Sequence, residues 1–124
     1  MRVGVDLIEI ERIRRALARY PGFRERCFTE AERAYCESRR NPAESYAGRF
    51  AGKEAVGKAL GLGVARAFAW KDIEIAGRPK PAVRLSGRAL VWAERVGAGR
   101  IDLSMTHSRE LAAAICVVSD DGVA

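Results

Sequence analysis

A long helical segment near the middle of this 124-residue sequence constrains the fold more than any other feature. It begins at Asn41-Pro42, a cap followed by proline in the first turn, and it ends at Gly61, a common helix stop. On a helical wheel, small residues and an aromatic ring surround Glu54, while Val56 and Leu60 project to the opposite side. Both sides of this helix are therefore expected to contact something.

The remaining segments show strand or helix periodicity. Val3, Val5 and Leu7 alternate with other residues as in a strand, and Thr29 with Glu32 has the form of a helix capping box. The predicted elements are a strand around residues 3–7, helices at 9–19, 29–39 and 41–60, strands at 72–76 and 82–85 around a turn at 77–80, a helix at 86–96, and strands at 101–106 and 111–118.

The order of these elements indicates the fold class. The strands at 72–76 and 82–85 form one hairpin, and the strands at 101–106 and 111–118 form a second one. Hairpins in place of repeated βαβ units predict an α+β protein of order β-α-α-α-β-β-α-β-β. We expect a single domain, residues 1–124, with a mainly antiparallel sheet packed on the long helix.

The composition favours an anionic partner and a reducing compartment. Lys and Arg number 22 against 16 Asp and Glu, which predicts binding to nucleic acid, a membrane surface, a phosphorylated cofactor or an acidic protein. The three cysteines are widely spaced and lack a C-x-x-C pair, so we expect reduced thiols in the cytoplasm. Neither a signal peptide nor a membrane span of roughly 18 apolar residues is recognisable, so a soluble protein is expected.

Glu54 is the candidate functional residue of the long helix. It is a single carboxylate among Arg49, Lys53 and Lys58, with small residues around it that would let a ligand approach closely. The alternative is a surface ion pair between Glu54 and Lys58, which have the favourable i,i+4 spacing. Spacing alone leaves both interpretations open.

Asp6 at the end of the first strand is the second candidate. With Glu9 it forms a D-x-x-E pattern that could simply cap the following helix. Alternatively, Asp6 and Glu54 could face each other, because two carboxylates together with substrate phosphates are a usual way to hold Mg²⁺. A magnesium site therefore requires the fold to bring Asp6 and Glu54 together.

Two further groups of polar residues are open to more than one interpretation. His107 lies beside Ser108 in a predicted hairpin turn, as an incidental surface residue or as a phosphate donor or proton shuttle. The arginines at 12–26 form either a solvated face or a docking surface for an acidic partner helix. The sequence shows no recognised RNA- or DNA-binding motif, so nucleic acid is not the expected partner. The candidate docking residues are Arg12, Arg15, Arg19 and Arg24.

Three motifs together resemble the holo-acyl-carrier-protein synthases, the small bacterial 4′-phosphopantetheinyl transferases. The motifs are GVDLIEIERI near the start, RFAGKEAVGKALG in the long helix and SMTHSRELAAA in the final hairpin. The resemblance implies metal binding by Asp6 and Glu54, with Lys58 as a third catalytic residue. It also implies coenzyme A contacts from Arg49, Lys53, Lys58, His107 and Ser108, and carrier-protein recognition by Arg12.

The implied activity is Mg²⁺-dependent transfer of 4′-phosphopantetheine from coenzyme A to a serine of apo acyl carrier protein, in fatty acid biosynthesis. Adenosine 3′,5′-bisphosphate would be released. The resemblance further implies a homotrimer with active sites at subunit interfaces, and neither nucleic acid nor a membrane as a partner. The alternative from another class is a non-enzymatic basic adaptor that binds nucleic acid or an acidic protein.

Overall fold

The computed structural model describes residues 1–62, 70–77 and 80–120. Arg78 and Pro79 of the predicted turn lie outside the described residues. The α-helices and strands are, in chain order, β1 (Arg2–Glu9), α1 (Ile10–Arg19), α2 (Phe23–Cys27), α3 (Glu30–Glu37), α4 (Pro42–Leu60), β2 (Ile73–Ala76), β3 (Ala82–Leu85), α5 (Gly87–Arg95), β4 (Ala98–His107) and β5 (Leu111–Asp120).

Helix α4 is the centre of the fold, as its two-sided pattern predicts. Asn41 caps it by accepting the backbone N–H of Glu44 at 3.3 Å, and Gly61 ends it in the left-handed region with φ of 78°. Twelve of its 19 residues are buried, among them a row of fully enclosed alanines. Small side chains on this helix let both the sheet and the other helices approach its backbone.

The sheet topology confirms the α+β class and the two hairpins. Strand β5 lies between β1 and β4 in an antiparallel three-stranded sheet, while β2 and β3 pair as a separate antiparallel ribbon. The predicted element order holds, and the short helix α2 adds to it. Helix α2 follows the Pro21-Gly22 break, where the sequence predicted no element.

Strand β1 approaches α4 closely because Gly4 has no side chain. A methyl group at Gly4 would overlap the carbonyl oxygen of Ala55 and lie 2.6 Å from the backbone nitrogen of Ala59. Since strand side chains alternate, residues 4, 6 and 8 share the face of β1 that packs on α4. The fold thus directs Asp6 toward the helix that carries Glu54.

The opposite face of the three-stranded sheet is apolar and exposed. Val3, Val5 and Leu7 of β1 are 57–63% exposed, and Ile115 of β5, which pairs with Val5, is 46% exposed. Such a contiguous apolar surface is typical of a protein–protein interface. Among the described residues, no helix combines the length and hydropathy that a membrane span requires.

Candidate active site

Asp6, Glu54 and Lys58 converge where β1 packs on α4. The Lys58 ammonium lies 3.0 Å from Oδ1 of Asp6 and 3.1 Å from the carbonyl oxygen of Val5. Partial burial raises the pKa of Glu54, and the negative charge of Asp6 raises it further, while Lys58 opposes both. Lys58 thus joins Asp6 of β1 to the helix that carries Glu54.

This arrangement excludes the helix-cap interpretation of Asp6. Asp6 belongs to β1, and helix α1 begins after Glu9 without a side-chain cap, so Asp6 is not a helix cap. Lys58 donates to Asp6 across two elements, and Glu54 is half-buried. The spacing of Glu54 and Lys58 is thus not explained by a surface pair within one helix.

The donor set fits a hard divalent cation. Asp6 and Glu54 offer carboxylate oxygens, and Mg²⁺ in proteins is usually held by one or two carboxylates plus water and substrate phosphates. Burial and the negative charge of Asp6 raise the pKa of Glu54, and a bound cation would oppose both effects. The described residues contain no cluster of three or more acidic, histidine or cysteine ligands, so water and substrate would have to complete such a site.

A second site, the cationic cleft, lies between the start of α4 and the end of β4. Its volume is about 550 Å³, and its charged lining residues are Arg39, Arg40, Glu44, Arg49 and His107. Arg49 is only 7% exposed, and its Nε has no hydrogen-bond partner among the described residues. The cleft therefore carries an excess of positive charge that suits an anion.

Sequence reasoning identified only part of this cleft. Arg49 and His107 were predicted to contact a ligand, whereas Tyr35, Arg39, Arg40 and Glu44 were missed. Arg39 and Arg40 could have been found from the sequence, because this pair of cations immediately precedes Asn41, the cap of α4. Tyr35 carried no such signal, since its position depends on how α3 packs on α4.

His107 does not lie in the hairpin turn where it was predicted, whereas Ser108 does. His107 is the last residue of β4, not a turn residue, and its Nε2 lies 3.4 Å from Oε1 of Glu44. The Ser108 hydroxyl accepts the backbone N–H of Leu111 at 3.2 Å and that of Glu110 at 3.4 Å. Ser108 therefore stabilises the hairpin turn beside the cleft.

The predicted contact between Lys53 and coenzyme A is corrected by the structure. Lys53 is fully buried, pairs with Glu32 at 2.8 Å, and donates to the carbonyl oxygens of Trp70 and Ile73. Burial lowers the pKa of Lys53, and Glu32 opposes that shift. An ammonium group with no exposed surface cannot reach a phosphate, so Lys53 ties α3 and β2 to α4.

The four candidate docking arginines separate into two groups. Arg12, Arg15 and Arg19 are exposed along α1 at helical spacing, and Arg15 only loosely contacts Glu11 at 3.5 Å. Arg24 instead donates to Glu37 at 2.9 Å and to the carbonyl oxygen of Leu17 at 3.2 Å. Three arginines thus form an exposed cationic stripe, and the fourth is engaged within the chain.

Comparison with known proteins places the chain in a family. Residues 2–116 match the 4′-phosphopantetheinyl transferase superfamily. The holo-[acyl-carrier-protein] synthase of Moorella thermoacetica is 46% identical over 122 residues, which cover 95% of this chain and 93% of that relative. The ACPS–CoA complex of Chronobacterium ammoniagenes superposes with a TM-score of 0.85 at 27% identity, covering 97% of both chains. The holo-[acyl-carrier-protein] synthase of Helicobacter pylori in complex with coenzyme A has a TM-score of 0.81 at 31% identity, covering 94% of this chain and 99% of that one.

The chain therefore belongs to the 4′-phosphopantetheinyl transferase superfamily. This confirms the resemblance inferred from the three sequence motifs. The match spans all three motifs, including Asp6, Glu54 and Lys58.

Proposed function

We propose that this protein is a holo-acyl-carrier-protein synthase that transfers 4′-phosphopantetheine from coenzyme A to a serine of an apo acyl carrier protein. The observation that carries the proposal is the 3.0 Å contact between Lys58 of α4 and Asp6 of β1, which brings Asp6 to the helix that carries Glu54 one turn before Lys58. Family membership and the two superposed coenzyme A complexes support it. The whole chain would act as one transferase domain.

The reaction exchanges the phosphoanhydride bond of coenzyme A for a phosphoester bond to serine. The serine oxygen bonds to the phosphorus that carries pantetheine, and the bond from that phosphorus to the bridging oxygen breaks. Adenosine 3′,5′-bisphosphate leaves with the electron pair, and the serine proton passes to solvent or a base. Charge accumulates on the bridging oxygen, so the main catalytic requirement is positive charge beside it.

The residues of the candidate active site would supply this positive charge in two ways. Asp6 and Glu54 would hold Mg²⁺, which when bound neutralises charge on the pyrophosphate. Lys58 places its half-exposed ammonium group beside the same carboxylates, where it can contact a phosphate oxygen. Magnesium dependence is therefore part of the proposal.

The cationic cleft would bind the adenosine end of coenzyme A. Arg49 and His107 line it, and its positive charge suits a phosphate. Ser108 would contribute from the position next to His107. Asp6, Glu54 and Lys58 do not line this cleft. On α4, Arg49 and Glu54 point about 140° apart at 100° per residue.

A homotrimer with active sites at the interfaces would reconcile these two separate sites. In one copy the carboxylates and the cleft lie on different sides of α4, so a neighbouring copy would bring its own cleft to the carboxylates. The exposed apolar face of β1 and β5 provides the surface for such packing. Asp6 lies on β1 itself, which would place the metal site next to that interface.

The stripe of Arg12, Arg15 and Arg19 would dock the carrier protein. These residues are exposed on one helix and would complement acidic side chains of a partner helix. Attraction between exposed charges is screened by salt, so this contact should weaken as ionic strength rises. Arg24 contributes less because Glu37 already holds it.

The proposed location is the cytoplasm, in fatty acid biosynthesis. Cys27, Cys36 and Cys116 are buried free thiols. Burial raises the pKa of Cys36 to about 12, so this thiol is unreactive. Unpaired structural cysteines are typical of a reducing compartment.

Intact-protein mass spectrometry tests the function directly. An apo carrier protein incubated with this protein, coenzyme A and Mg²⁺ should gain the mass of phosphopantetheine. Glu54→Gln should abolish the transfer, because it removes a metal ligand, while carrier-protein binding is retained. A wild-type protein that adds no mass but binds acidic partners would favour the non-enzymatic adaptor and contradict the proposal.

A further inference from the structure

Tyr35 lies where two arginines meet at the cationic cleft. The guanidinium carbon of Arg49 is 4.0 Å from the centroid of the Tyr35 ring, and that of Arg39 is 5.4 Å from it. Both distances are within the roughly 6 Å at which a cation is attracted to an aromatic face. Tyr35, Arg39 and Arg49 all line the cleft, so one ring contacts two of its cations.

Arg49 has an unsatisfied hydrogen-bonding group at this position. Its side chain is more than nine-tenths buried, and its Nε lacks a hydrogen-bond partner among the described residues. A buried guanidinium without a hydrogen-bonding counterion is costly, and an aromatic ring compensates only its charge. An anion in the cleft that Arg49 lines would supply the counterion that this guanidinium lacks among the described residues.

The chemistry of the reaction indicates which anion this is. This step rests on the proposed function, which requires the pyrophosphate of coenzyme A to lie beside Asp6 and Glu54, where the bond breaks. The remaining phosphate is the 3′-monoester, a group with close to two negative charges. The cleft is lined by three arginines and by the single carboxylate of Glu44, so its net charge is positive and complements such a group.

We propose that Tyr35 is a positioning residue for coenzyme A. Its ring holds the guanidinium groups of Arg49 and Arg39 in place, and both donate to the 3′-phosphate. An arginine side chain has many rotamers, and fixing two of them before the ligand arrives reduces the entropy lost on binding. Tyr35 itself does not touch the reacting atoms.

Calorimetry with adenosine 3′,5′-bisphosphate tests the proposal without catalysis. Tyr35→Phe keeps the ring face and should bind within about twofold of wild type, because the ring supplies the attraction. Tyr35→Leu removes the ring and should bind roughly 5- to 30-fold more weakly. Equal affinity of Tyr35→Leu and wild type, or an equal loss in Tyr35→Phe and Tyr35→Leu, would overturn the proposal.

A second variant keeps the test decisive if Tyr35→Leu folds poorly. Arg39 is exposed, so Arg39→Gln should leave the stability unchanged and still weaken bisphosphate binding several-fold. Unchanged affinity of Arg39→Gln would contradict the proposal. Tyr20→Leu is the matched control, because Tyr20 is 57% exposed at the end of α1 and should not affect binding.

Dephospho-coenzyme A identifies the phosphate. Tyr35→Leu should weaken binding of coenzyme A and leave binding of dephospho-coenzyme A near wild type, since the latter lacks the 3′-phosphate. An equal loss with both ligands would overturn the assignment. In transfer assays the variant should raise KM for coenzyme A with kcat unchanged. If wild type transfers nothing, the proposed function fails, while the calorimetry still decides whether Tyr35 organises the cleft.

Discussion

At the scale of single residues, the two lysines of α4 show how position decides a role. Lys53 and Lys58 flank Glu54 in sequence, yet Lys53 is fully buried against Glu32, and Lys58 is half-exposed beside Asp6. A buried ammonium needs a carboxylate and carbonyl partners, and Lys53 has them. Lys58 alone has the exposure that contact with a substrate phosphate requires.

Sequence reasoning singled out Asp6 and Glu54 for a physical reason, and their role as a metal-binding pair stays a prediction. Asp6 follows an alternating strand, and Glu54 has an unusual environment of small residues, so both positions carry local signals. The role of Lys53 could not be predicted, because its partner Glu32 comes from another helix. Glu32 completes the capping box that the sequence predicts. It also accepts the backbone N–H of Ile75 at 2.7 Å, a contact that no local pattern indicates.

At the scale of elements, the contact between β1 and α4 determines the geometry of the proposed metal site. Gly4 allows the strand backbone to approach Ala55 and Ala59, and Asp6 follows two residues later on the same face. Sequence periodicity predicted both elements, but not their closeness, which depends on the lack of a side chain at one position. The fold class and hairpins were predictable because they follow from local patterns and turns.

Gly4→Ala tests this element contact. The added methyl group would overlap backbone atoms of α4, so we expect a loss of about 1–3 kcal/mol in the free energy of unfolding. Because the strand must move away from the helix, binding of Mg²⁺ should weaken as well. Urea denaturation and metal titration of the same variant measure the two effects.

Gly48→Ala is the matched control for stability. Gly48 also belongs to α4, but a methyl group there would meet no atom within 4 Å. Because alanine favours helix over glycine by up to about 1 kcal/mol, this variant should be as stable as wild type or more stable. A destabilised Gly48→Ala together with an unaffected Gly4→Ala would contradict the close-packing account.

At the scale of the whole molecule, the separation of the two sites is the central feature. The carboxylates lie under β1, and the cationic cleft lies at the start of α4 beside the end of β4. Coenzyme A carries one phosphate group for each site, the pyrophosphate and the 3′-phosphate. In the proposed trimer, one coenzyme A would therefore contact the carboxylates of one copy and the cleft of its neighbour. The apolar sheet face would hold those copies together.

Ile115→Asp tests the assembly. A charge at the centre of the apolar sheet face should prevent packing, because a buried unpaired carboxylate is strongly unfavourable. Light scattering should give the 13.6 kDa mass of one chain for the variant and three times that mass for wild type. Transfer activity should be lost together with the trimer.

Val91→Asp provides the control for that experiment. Val91 is 56% exposed on α5, so it has a similar exposure on a different surface. This variant should remain trimeric and active. A trimeric Ile115→Asp variant, or a wild-type protein that is active as a single chain, would exclude the shared-site arrangement.

The central claim is that Asp6 and Glu54 share one divalent cation. Titration with Mn²⁺, followed by electron paramagnetic resonance of the free ion, measures this in wild type, Asp6→Asn, Glu54→Gln and the double variant. Each single substitution should weaken binding by at least about tenfold, and the double variant should lose little more, because the two residues act on one ion. Wild-type affinity in Glu54→Gln, or independent additive losses in the double variant, would contradict the account.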